Sequence, residues 1–246
     1  MNGSKIALKR NLLVATVQLK TASTYKENLL NLTSIVKESN ADLIIAPELA
    51  LTNFDYENFE DASVFYNVAL SELLELSFDK ILVLTLTKKE NNNFYNQAVV
   101  LYNHQIVYQQ NKHRLFPLGD ELNYFKAGEE NQIKPFLING IRYGLLICFE
   151  LRFKELWKKL EGVDILLIPA RWGKTRKKHL ETLSQALAIM NQSFVVLSNS
   201  ADDDMASSSS IISPWGEVVL DDSLEVLEKN IQLKEVKKVR RMINMK

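Results

Sequence analysis

The sequence predicts an α/β layered fold, and three observations predict it. Short apolar runs recur along the chain, stretches with helical spacing of leucine and isoleucine separate them, and no Pro/Gly/Ser-rich linker interrupts the alternation. Residues 12–19 read as the first strand. Residues 25–39 set Leu29, Leu30, Leu32, Ile35 and Val36 on one helical face. Residues 43–46 form a continuous apolar run stopped by Pro47, the pattern of a strand buried on both faces. A helix follows over 64–76, then strands over 81–85, 97–102 and 141–147. Residues 164–169 repeat the Asp-apolar-Pro pattern of 42–47, a long helix covers 174–191, a strand covers 194–197, and two more strands flank the turn 213–216. The serine run 207–210, approached through Asp202, Asp203 and Asp204, reads as an exposed loop. Residues 1–246 read as one domain.

Composition narrows the function classes. The chain has 246 residues, 46% hydrophobic, with 30 basic and 30 acidic side chains, which suits a large core and not a disordered chain. Zero net charge removes the electrostatic footprint of a nucleic-acid binder, and the basic stretch 234–241 reads as a solvated helix end. No apolar run approaches the roughly 20 residues needed to cross a bilayer. A single cysteine, Cys148, excludes an intramolecular disulfide and a cysteine-rich zinc site, and it points to a reducing cytoplasm. The start of the chain, basic at Lys5, Lys9 and Arg10 and apolar over 12–15, superficially suggests a signal peptide. Thr16, Gln18 and Lys20 break that stretch at once and no small-residue cleavage site follows, so it reads as part of the fold. His104, His113 and His179 lack ligand-spaced partners and read as ordinary polar residues; no metal is expected. No glycine-rich nucleotide loop is present, and no cofactor is expected.

Three chemically active residues follow apolar runs. Glu48 follows 44–47, Lys112 lies just beyond 106–109, and Cys148 follows 145–147. Ligand sites in α/β folds gather at the carboxyl ends of strands, so the three can converge. Each has a plainer alternative: a helix-start acid, a solvated charge and a small buried hydrophobe, respectively.

The segments around them resemble the nitrilase superfamily of carbon-nitrogen hydrolases. The matching pieces are Ala46-Pro47-Glu48-Leu49 with Thr52 and Phe54, then Lys112-His113-Arg114-Leu115-Phe116, then the run from Leu146 through Cys148 to Phe153. Weaker matches extend from about residue 12 to about residue 235, including Phe94-Tyr95-Asn96-Gln97-Ala98, Trp172, Ser209 and Pro214-Trp215-Gly216. The resemblance implies a four-layer αββα sandwich with the active site at one end of two sheets. It implies Cys148 as nucleophile, Glu48 as general base and acid, and Lys112 as the cation facing the tetrahedral intermediate. Glu121 matches a second glutamate of amidase branches, with Asp120 the competing acid and a helix-start role the alternative. The sequence departs from the family at Glu150, where aspartate is usual, and at Asn53, where glycine is common.

The chemistry fits these residue types, since an amide is a poor electrophile that needs a thiolate and a nearby proton acceptor. The resemblance is nearest to the ω-amidase-like branch, which implies a cofactor-independent amidase acting on a small amide. Phe149 stands where true nitrilases commonly carry tryptophan. N-carbamyl hydrolysis and a catalytically silent binding or assembly protein are the alternatives. Phe149, Arg171, Trp172 and Arg176 are the candidate substrate-binding residues, with Arg171 or Arg176 expected to grip a carboxylate remote from the scissile amide. The resemblance also implies a homodimer, paired through the helix after Trp172 and the C-terminal tail.

Overall fold

Alternation within the strands decides the layering. The computed structural model describes residues 11–245, and their strands fall into two six-stranded sheets with helices outside them. In chain order the elements are β1 (Asn11–Val17), α1 (Tyr25–Glu38), β2 (Leu43–Ile45), α2 (Phe59–Glu75), β3 (Ile81–Glu90), β4 (Asn93–Tyr102), β5 (Gln105–Asn111), α3 (Glu121–Tyr124) and β6 (Phe136–Ile138). They continue as β7 (Ile141–Leu145), α4 (Lys154–Lys159), β8 (Ile165–Pro169), α5 (Lys177–Asn191), β9 (Phe194–Ser198), β10 (Ser210–Ile212), β11 (Val218–Leu220), β12 (Val226–Gln232) and α6 (Lys234–Met242). One sheet runs β12-β1-β2-β3-β4-β5 and the other β11-β10-β9-β8-β7-β6.

In the first sheet, Leu12, Val14, Leu43, Ile45, Ile81 and Val83 turn toward the second sheet and share its core. Their neighbours Ala15, Val17, Ile44, Leu82 and Leu84 turn the other way, onto Leu29, Leu32 and Val36 of α1 and Tyr66 and Leu73 of α2. On the far side, Leu180 and Leu187 of α5 and Leu156 of α4 join the second sheet's cluster. The result is the αββα sandwich that the family resemblance implies. Two buried hydroxyls pin the sheets together: Thr16 Oγ1 donates to the Leu197 carbonyl at 2.5 Å and Ser198 Oγ to the Val17 carbonyl at 2.5 Å.

Several expectations change. The strand expected over 141–147 stops at Leu145, and Leu146-Ile147 lead straight into a 3-10 turn. The serine run is not an exposed loop: Ser208, Ser209 and Ser210 are all buried, and Ser210 opens β10. Their polar groups are bonded, the Ser208 amide to Asp222 and the Ser209 amide to Gln18. Strand β12 escapes sequence reading because its charged residues, Glu228 and Lys229, mask an edge strand paired antiparallel with β1. The helix expected from 174 begins with a 3-10 turn and becomes α-helical at Lys177. Helix α6 is not solvated throughout, since Val236 and Val239 are buried. The apolar residues 12–15 lie within β1, whereas the basic residues before them lie outside the described residues. Among the described residues no helix is long and apolar enough to cross a membrane.

Thr16→Val keeps the volume but leaves the Leu197 carbonyl without its cross-sheet donor. The substitution should cost about 1–2 kcal/mol, read as a lower urea midpoint at unchanged slope.

Candidate active site

Lys112 follows β5 directly, and the backbone around it is fixed from two sides. Its amide donates to the Asn96 carbonyl at 2.8 Å, and its own carbonyl accepts from Gly128 at 2.8 Å. A Cβ at Gly128 would lie 2.3 Å from the Asn111 carbonyl oxygen, so only glycine allows this approach. The side chain is wholly buried, and its Nζ lies 2.7 Å from Glu48 Oε1 and 2.7 Å from Glu121 Oε1. Burial works against the ammonium, but the Glu48 and Glu121 carboxylates outweigh it, so Lys112 holds its proton beyond the usual lysine range.

Glu48 sits just past β2, where its amide donates to the Ala170 carbonyl at 3.1 Å. Asn96 Nδ2 joins Lys112 on Glu48 Oε1 at 2.8 Å. Oε2 is buried and has no hydrogen-bond partner among the described residues. A buried carboxylate oxygen left open is costly, and it marks a position where a proton can be accepted. Glu121 heads α3, and its Oε2 accepts the Phe116 amide at 3.1 Å. Burial raises its carboxyl to about 7, with Lys112 pulling it down and Glu48 pushing it further up.

Cys148 opens the 3-10 turn Cys148–Arg152 with φ +48°, a left-handed conformation that an L residue adopts only when its surroundings impose it. Leu49, next to Glu48, shares this feature at φ +46°. Burial pushes the Cys148 thiol well up and the neighbouring Glu48 adds to it, whereas Lys112 and the Arg171 backbone amide draw it down. Glu48, Lys112, Glu121 and Cys148 are thus brought together; Asp120 makes no contact with Lys112 among the described residues.

An open pocket lined by Phe54, Phe116, Leu118, Arg171, Arg176 and Asp204 leads down to Glu48, Glu121 and Cys148. Phe149 packs on Phe116 with ring centroids 5.1 Å apart and is flanked by Phe153. Trp172 is almost wholly buried; its amide donates to Asn199 Oδ1 at 2.7 Å, its indole to the Arg176 carbonyl at 2.9 Å, and Arg152 lies over its ring. Arg171 lines the pocket, but its side chain is 4% exposed, and its guanidinium is ion-paired with Asp202 and bonded to Thr21 Oγ1 at 2.7 Å. Its charge already has a carboxylate partner inside the protein. Arg176 lies with its guanidinium 5.1 Å from the Phe116 ring centroid, without a carboxylate partner among the described residues. Its Nη2 would stand 2.9 Å from a Cβ at Gly173, so the glycine gives it room.

Both departures at the site acquire a structural account. Asn53 has φ +55° and accepts the Phe54 amide on its own Oδ1 at 2.7 Å, so it serves the left-handed conformation for which glycine is common. Glu150 is wholly buried and accepts the amides of Ile147 and His113, each at 2.7 Å. Burial raises its carboxyl to about 7, against the pull of those two amides. The sequence singled out neither Asn96 nor Glu150 as part of the site. Asn96 carries little signal of its own, since the same strand β4 also holds Asn93 and Gln97.

A family model for carbon-nitrogen hydrolases matches residues 13–241. A 2-oxoglutaramate amidase of Bacillus subtilis (strain 168) is 32% identical over 223 residues, covering 85% of this chain and 85% of that one. An omega-amidase of Mus musculus is 26% identical over 254 residues, covering 94% and 92% respectively. In structure, a carbon-nitrogen hydrolase superfamily protein of Xanthomonas campestris, whose active site carries an arsenic adduct, superposes with a TM-score of 0.84 at 20% identity over 95% of each chain.

The raised carboxyl of Glu121 makes stability depend on pH. Folded, it keeps its proton to about 7; unfolded, it releases it near 4.5, so its contribution is full below about 4.5 and is lost as pH rises through about 7. Glu121→Gln removes that dependence. Between about pH 5 and about pH 8 the variant should therefore gain on the parent by on the order of 3 kcal/mol, measured as the change in the difference between their urea unfolding free energies.

Proposed function

The chain belongs to the carbon-nitrogen hydrolase family, and from that premise we propose that it is a cofactor-independent amidase releasing ammonia from a small anionic amide through a thioester on Cys148. The observation that carries the reading is the open oxygen of Glu48, buried beside the thiol while its partner oxygen is held by Lys112 and Asn96.

Glu48 Oε2 takes the thiol proton as sulfur attacks the amide carbon. The Lys112 ammonium and the backbone N–H of Phe149 face the charge that grows on the carbonyl oxygen. Glu48 then gives its proton to the leaving nitrogen, the C–N bond breaks, and ammonia departs. Water attacks the thioester as Glu48 takes one of its protons; the C–S bond breaks, the acid is released, and Glu48 returns the proton to the Cys148 sulfur. Glu121 steadies the ammonium from the far side, and its partial protonation limits the negative charge gathered around one cation.

The substrate class rests on Arg176 and on what the relatives are called, an amidase of 2-oxoglutaramate and an omega-amidase. With Arg171 bound to Asp202, Arg176 is a cation of this pocket without a carboxylate partner among the described residues, placed to meet a carboxylate distant from the amide. The same reading takes residues 1–246 as one hydrolase domain, acting in the reducing cytoplasm as a homodimer.

Cys148→Ser and Glu48→Gln should each lower turnover by about 10³-fold or more, and intact-mass analysis should find an acyl adduct on the parent but not on Cys148→Ser. Near-normal turnover in either variant would sink the mechanism. Arg176→Ala should raise KM for an anionic amide about tenfold and leave its methyl ester little affected. Equal kcat/KM for acid and ester in the parent would remove the anionic substrate class and leave the amidase reading in place.

A further inference from the structure

We propose that Glu150 is a positioning residue for this reaction, a brace that fixes the nucleophile loop against the lysine loop. The inference rests on the roles given above to Cys148 and Lys112. Glu150 Oε2 accepts the amide of Ile147 at 2.7 Å, with Gln110 Nε2 at 3.5 Å. Its Oε1 accepts the amide of His113 at 2.7 Å, with the Arg114 amide at 3.5 Å. Ile147 immediately precedes Cys148 and His113 immediately follows Lys112, so each reacting group is one peptide away from the same carboxylate.

Nothing about this placement is cheap. The carboxylate is wholly buried and forms no ion pair among the described residues. Four N–H donors replace a counter-charge, one from the residue before Cys148 and three from the end of β5 and the loop after it, segments that meet only through the tertiary fold. Cys148 keeps its left-handed backbone between Ile147 and Glu150, with the Glu150 amide also returning to the Ile147 carbonyl at 3.0 Å. The nucleophile's turn is therefore closed on itself and tied across to Lys112 by one side chain. Reach is what distinguishes glutamate. Aspartate is shorter by one C–C bond, about 1.5 Å, and contacts at 2.7 Å on both sides cannot both survive that retreat. Glutamine has the length, but its NH2 must face one of two N–H donors.

A brace of this kind acts on alignment in the transition state more than on substrate binding, and misplacement of about 1 Å can cost about 10²-fold. The test compares the parent with Glu150→Asp and Glu150→Gln, full chain, on an anionic amide. The expected result is a kcat lower by roughly 10- to 100-fold with KM within about threefold, while the Ile147 and His113 amide proton resonances of 15N-labelled protein move upfield in the folded variants. Parent-like kcat in a folded Glu150→Asp, or kcat falling only in step with the folded fraction, overturns the proposal. So does loss of fold in both variants, which would make Glu150 a determinant of stability alone. If the parent hydrolyses no amide, the amidase reading falls, and the brace is decided by alkylation of Cys148 with iodoacetamide. A rate about tenfold slower in Glu150→Asp supports it, because the thiol then loses the nearby Lys112 ammonium. An unchanged or faster rate overturns it.

Discussion

An ammonium sealed from water between two carboxylates is the constraint around which the site is arranged. Lys112 has no exposed surface, and an isolated charge so placed would cost several kcal/mol or more. Glu48 and Glu121 offset that cost when both stand within hydrogen-bond distance, and this fixes the residue after β2, the residue after β5 and the start of α3 relative to one another. Asn96 bonds Glu48 with its side chain and Lys112 with its carbonyl, so one residue of β4 sets two of the three positions. Removing Lys112 would leave two buried carboxylates side by side without their cation, which is why fold stability and site geometry are hard to separate here.

The cluster also carries backbone strain. Leu49 and Cys148 both hold left-handed conformations beside the residues that meet the thiol and the lysine. Such conformations cost of order 1–3 kcal/mol each and persist only where packing over-determines them. Leu49 is fully buried and its amide is held by Thr85 Oγ1 at 2.6 Å, while the turn of Cys148 is held by Glu150. Both strained residues are therefore held by hydrogen bonds to side chains that lie beyond them in the chain.

Much of this was legible in the sequence, and the boundary between what was and was not has a physical basis. Buried strands such as β2, β8 and β9 are continuous apolar runs, so they announce themselves locally. Glu48 and Cys148 each follow such a run, whereas Lys112 follows the polar end of β5, and their convergence was read from the rule about strand ends together with the family resemblance. Glu150 looked like a departure because its value lies in reach across to another loop, which spacing along the chain does not encode. Arg171 looked like a free cation for the same reason, since its partner Asp202 is thirty-one positions away. The serine run looked solvated because composition reports polarity but not whether hydrogen bonds within the fold satisfy it.

The pairing of β1 with β12 has a consequence for how the molecule is made. Leu12 lies opposite Ile231, so β1 is synthesised more than two hundred positions before one of its two neighbours. At ordinary elongation rates of about 5–20 residues per second, that edge waits roughly ten to forty seconds, paired on one side with β2 and open on the other. During that interval an unpaired strand edge is available to any other nascent chain, the usual opening for misassembly. The charges of β12 thus arrive late, and their arrival converts a sticky interior strand into one shielded by a polar edge.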